Sequence, residues 1–142
     1  MNVETHAEVR GWLRKAEGDL GAAIVLKDAD PKRLDISVYH CQQAAEKAIK
    51  AWLVSREISF SKTHDLERLL ECANSDSGLL SHLGEHMLIL TPYVVEFRYP
   101  GDVFEPEESE VIEAIRLATE VLACITNLLP VNAGIASNCL EH

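Results

Sequence analysis

The sequence predicts an all-α protein, an up-and-down bundle of about five helices. Three observations carry this. Apolar residues recur at three- and four-residue spacing nearly throughout, and strand-like alternation is missing. Short breaks rich in Pro, Gly, Ser or Asp then separate the periodic stretches.

A first helix is expected from about Thr5 to Asp28. Val9, Trp12, Leu13, Ala16, Leu20, Ala23, Ile24 and the stem of Lys27 form its buried stripe, and Asp30-Pro31 breaks it. The second, from Asp35 or Ser37 to about Glu57, divides into two sides. Val38, Cys41, Ala44, Ala45, Ala48, Ile49 and Trp52 make the apolar one, while His40, Gln43, Glu46, Lys47 and Lys50 make a narrow polar stripe. Thr63 is the expected N-cap of a third helix, His64 to about Ala73, with Asp65 and Glu67 in its first turn.

A fourth helix should carry Leu80, Leu83, Met87, Leu90, Val94 and Phe97, with a kink or interruption near Thr91 because Pro92 falls inside the pattern. Arg98 to Asp102 reads as a turn. The last helix is expected to start with Pro106 in its first turn. It buries Val111, Ile115, Ala118, Leu122, Ile125 and Leu129, and ends at Pro130.

The 142 residues suffice for one domain with a real core, read as 1–139, with Leu140-Glu141-His142 looking like an expression-tag remnant. A net charge of −10 repels phosphate backbones, so any RNA contact must be confined to a local basic patch. No secretory segment or bilayer-length apolar run is present, and the scattered Cys41, Cys72, Cys124 and Cys139 lack zinc-ligand spacing. The expectation is a cytoplasmic protein with free thiols and no membrane contact.

Four stretches bear on function. They are Trp12-Leu13-Arg14-Lys15-Ala16-Glu17-Gly18-Asp19-Leu20, the segment Tyr39 to Ala51 containing Gln42-Gln43-Ala44-Ala45-Glu46-Lys47-Ala48, Thr63-His64-Asp65-Leu66, and Arg98-Tyr99-Pro100-Gly101. In this order and spacing they resemble the prokaryotic HEPN domain, over roughly residues 8 to 129. The resemblance implies a helical bundle, usually a homodimer, often encoded beside a minimal nucleotidyltransferase in a toxin–antitoxin or defence pair. Many HEPN domains are metal-independent ribonucleases with an R-x(4–6)-H motif on a late helix. Here Arg98 stands where that arginine belongs, but no His follows it before His142. The literal match, Arg33-x6-His40, falls at the start of the second helix instead.

The expected role is therefore a non-catalytic component that binds nucleotide or RNA. Lys47, Lys50, His64 and Arg98 would supply cations for phosphate, and Tyr99 would stack or donate a hydrogen bond. Each has a plainer reading: a solvated helix face with a Glu46–Lys50 pair, a capping turn around His64, and a turn pinned by Arg98 on Asp65, Glu96 or Asp102. Two alternatives stand beside this role: a ribonuclease using Arg98 with His64 as base, and a protein–protein adaptor without nucleotide binding. His82-Leu83-Gly84-Glu85-His86 spells H-x-x-E-H, yet nothing marks out a third ligand, and surface histidines are the simpler reading. No P-loop, Gly-rich dinucleotide turn or di-iron Glu-x-x-His pair occurs, so neither metal nor cofactor is expected.

Overall fold

The structure, a computed structural model, describes residues 1–94 and 105–129. Its elements are α1 (Val3–Asp28), α2 (Leu34–Ser55), α3 (Leu66–Ala73), a 3₁₀ turn (Ser81–Leu83), α4 (Gly84–Leu90), a second 3₁₀ turn (Thr91–Tyr93) and α5 (Glu108–Leu128). Among the described residues there is no strand, as the periodicity requires. Nor, among them, is any helix long and apolar enough to cross a membrane.

The hub is α2, which packs against α1, α3, α4 and α5. It is buried nearly all round, because its alanines (Ala44, Ala45, Ala48 and Ala51, all inaccessible) let neighbouring backbones approach closely. Ser37 Oγ donates to the Ala23 carbonyl at 2.7 Å and pins α1 to α2 where both are buried. This central position overturns the solvated-face reading of the α2 stripe. Gln42, Gln43 and Glu46 are buried, because α1 and the segment before α3 lie over them.

Several boundaries move for identifiable reasons. Asn2 caps α1 through Thr5 N (2.8 Å), so the helix begins at Val3. Ile24 is exposed and leaves the expected stripe, while Lys27 turns to Asp28 at 2.7 Å. The cap of α3 is Asp65 rather than Thr63, since Asp65 Oδ1 accepts from the free N–H groups of Glu67 and Arg68. Thr63 Oγ1 instead accepts from Asp65 N (3.1 Å).

The apolar pattern around Pro92 behaves as its chemistry demands. The ring removes one N–H and crowds the carbonyl four residues back, so α4 stops at Leu90 and the chain continues as a 3₁₀ turn. Leu80, Leu83, Met87, Leu90 and Val94 are all buried, whereas Phe97 lies outside the described residues. Pro106 precedes the last helix instead of opening it. Glu107 is the cap, with a reciprocal Glu107–Glu110 capping box.

Candidate functional site

Three segments, α1, α2 and the connector between α2 and α3, bring polar groups together above the middle of α2. From α1 comes Asp19, and from α2 come His40, Gln42, Gln43, Glu46, Lys47 and Lys50. His64 stands just before α3, and Phe60 lies in the connector. Successive turns of α2 present these side chains along one edge, at the three- and four-residue intervals that align a helical face.

Two carboxylates organise the cluster. Asp19 Oδ1 meets His40 Nδ1 at 2.8 Å, and its Oδ2 accepts from Lys47 Nζ at 2.5 Å. Glu46 Oε2 accepts from Lys50 Nζ at 2.9 Å, while its Oε1 meets His64 Nδ1 at 2.7 Å. Glu46 Oε1 also accepts from Gln42 Nε2 at 3.3 Å, and that amide donates to the His64 carbonyl at 2.9 Å. Gln43 Nε2 donates to Gln42 Oε1 at 2.7 Å, closing the chain. Burying Glu46 is tolerable because cationic and amide donors surround it.

Burial grades outward from the acids. The side chains of Glu46 and Asp19 are 4% and 11% accessible, those of Lys50 and Lys47 12% and 22%, and those of His40 and His64 26% and 35%. Acids thus form the floor and nitrogen bases the rim. Two carboxylates thus balance two ammonium groups. An aromatic wall stands beside it, with Lys50 Nζ 5.5 Å from the Trp12 ring centroid and 5.9 Å from that of Phe60.

Lys47, Lys50 and His64 are therefore neighbours along one edge of α2, and each is already engaged with an acid, Lys47 with Asp19 and both Lys50 and His64 with Glu46. Arg98 and Tyr99 lie outside the described residues, so their expected contribution stays an expectation. Sequence reasoning missed Asp19 and Gln42 as members. Asp19 sits inside the Trp12–Leu20 stretch, and that was the only signal available. Arg33 is the exposed first-turn neighbour of α2, and His40 is spent on Asp19, so the literal Arg33-x6-His40 pattern assembles no site here.

The H-x-x-E-H stretch faces α5. His82 Nε2 lies 3.4 Å from Cys124 Sγ, and His86 Nε2 lies 3.2 Å from Glu120 Oε1. Among the described residues no three such groups come together to hold a metal. Burial pushes the Cys41 thiol up to about 12 and that of Cys124 upward as well, so neither resembles an activated nucleophile.

The HEPN domain model matches residues 9–128. Two solved structures are similar. The crystal structure of ST0689, an archaeal HEPN homologue, is 24% identical with a TM-score of 0.66, covering 84% of this chain and 95% of that one. The crystal structure of TT1696 from Thermus thermophilus is 26% identical with a TM-score of 0.58, covering 87% of this chain and 94% of that one. No curated protein matches the chain significantly. The bundle, the stretches on α1 and α2 and a family match across nearly the whole domain agree: this chain belongs to the HEPN family.

Proposed function

We propose that this protein is a non-catalytic HEPN component that binds a nucleotide or RNA. It would act in the cytoplasm, as a homodimer or beside a minimal nucleotidyltransferase, in a toxin–antitoxin or defence-type module. The observation that carries this reading is the cluster's layering, with buried carboxylates below and the nitrogens of Lys47, Lys50, His40 and His64 at the rim. An ammonium group has three N–H donors and spends one on its acid. The rest are held in place, and preorganised donors lower the cost of binding an anion. On a chain of net charge −10 such a rim confines phosphate to one place.

Calorimetric titration with AMP, ATP and a short RNA tests this. The reading expects saturable binding, weakened about tenfold or more by Lys47→Ala or Lys50→Ala, consistent with loss of a charge-assisted hydrogen bond of roughly 1.5–3 kcal/mol. Binding unchanged in both variants would contradict it.

One observation favours ribonuclease activity as a second reading. The Glu46 carboxylate on His64 Nδ1 is the arrangement that orients an imidazole for general-base work. Metal-independent cleavage of the RNA, lost in His64→Ala, would support that reading, and intact RNA would refute it.

A further inference from the structure

Beside the polar cluster, α1 carries a shallow cleft of about 280 Å³ lined by Glu8, Gly11, Trp12 and Lys15. These residues are spaced i, i+3, i+4, i+7, so the lining among the described residues comes from one face of α1. The volume falls just below that of usual small-ligand sites, roughly 300–1,000 Å³, and suits one nucleotide unit better than a larger molecule.

Three features give the cleft its chemistry. The Trp12 indole lies under two ammonium groups, Lys15 Nζ at 5.8 Å and Lys50 Nζ at 5.5 Å from its centroid. Lys50 is neutralised by Glu46, whereas among the described residues no carboxylate pairs with Lys15. Lys15 is thus the cation on the ring that is open to an arriving anion. At the far end of the row Glu8 repels an anion and accepts N–H donors. Gly11 forms part of the floor, and a Cβ added there meets nothing within 4 Å. No internal contact requires a glycine at this helix-interior position, where glycine is unfavourable.

We propose that this cleft is a base-stacking subsite for an amino-bearing purine nucleotide. The base lies on Trp12, its phosphate reaches Lys15, and its exocyclic amino group donates to Glu8. This inference rests on the nucleotide-linked reading above and adds a base-recognising subsite on α1, whose phosphate contact is Lys15 beside the rim of the cluster. The shared chemistry is one adenine nucleotide, free or as part of an RNA strand.

Trp12 and Trp52 are the only tryptophans, and Trp52 is 2% accessible, so an external stacking partner quenches Trp12 alone. The experiment titrates AMP, UMP, ribose 5-phosphate and a short oligoadenylate while following tryptophan emission and the unfolding midpoint. AMP should quench saturably, UMP more weakly because it lacks the amino group, and ribose 5-phosphate not at all. Gly11→Leu, which fills the cleft, should weaken AMP by about 10- to 100-fold, as loss of one stacked base does. The midpoint of unliganded Gly11→Leu should be no lower than that of the wild type. Lys15→Gln should weaken AMP several-fold. Quenching by oligoadenylate alone would assign the same subsite to an RNA strand. Binding of AMP or oligoadenylate that is indifferent to both Gly11→Leu and Lys15→Gln overturns the subsite and leaves the nucleotide-linked reading standing. Absence of binding by every probe overturns both.

Discussion

Cys41 lies in α2 with no accessible surface, and burial alone raises its thiol to about 12 from an ordinary 9.0. Unfolded chains release this proton above pH 9 while the folded protein holds it. The contribution of Cys41 to stability is therefore complete below pH 9 and is lost as pH rises toward 12. Denaturant titrations from about pH 8 to 11 should show a decline in stability that is shallower in Cys41→Ala. An identical slope would refute the assignment. Glu46 makes the complementary case. Glu46→Ala removes the shared partner of Lys50 and His64 and should cost about 3 kcal/mol, as breaking buried ion pairs does. A loss below about 1 kcal/mol in urea titration would show that water already serves those groups. The i, i+4 relation of Glu46 to Lys50 could be read directly from the sequence. The contact of His64 with Glu46 and those of Asp19 with His40 and Lys47 could not, since they span 18, 21 and 28 positions and only packing brings them near.

Helix ends show how far local chemistry reaches. After α2, Ile58 N bonds to the Leu53 carbonyl and Glu57 N to the Val54 carbonyl, a Schellman ending that places Glu57 at φ 57°. Glycine fits that backbone without the Cβ conflict, so Glu57→Gly should stabilise the protein by about 1 kcal/mol. An unchanged or lowered unfolding midpoint would contradict this. At α3 the cap Asp65 serves two N–H groups, and Asp65→Ala should cost about 1 kcal/mol in a urea titration. Both features show why the boundaries near Glu57 and Thr63 shifted by a residue or two. Thr63, Asp65, Glu57 and Arg56 are all chemically admissible at their neighbours' positions, and only the path of the chain selects among them. The interruption at Pro92 was legible because proline leaves no such choice.

At the scale of the whole molecule the bundle followed from periodicity, since each apolar stripe has to meet another. What periodicity concealed is that α2 is central. Its alanines read as one apolar side, yet its polar stripe also lies beneath α1, so residues expected in solvent became a buried network. The candidate site was legible as a set of residue types, Lys47, Lys50 and His64, and not as an arrangement. The layering of acids under nitrogen bases, with Trp12 alongside, belongs to the packing of α1 on α2. That layering is the basis for reading this HEPN chain as a nucleotide-binding component. The most direct test is thermal unfolding with and without AMP and a short RNA, because a ligand bound only by the folded state raises the midpoint by mass action. The account predicts a midpoint that climbs with ligand concentration, with the RNA recovered intact. A midpoint indifferent to both ligands would contradict it and leave an adaptor that ignores nucleotides as the better description.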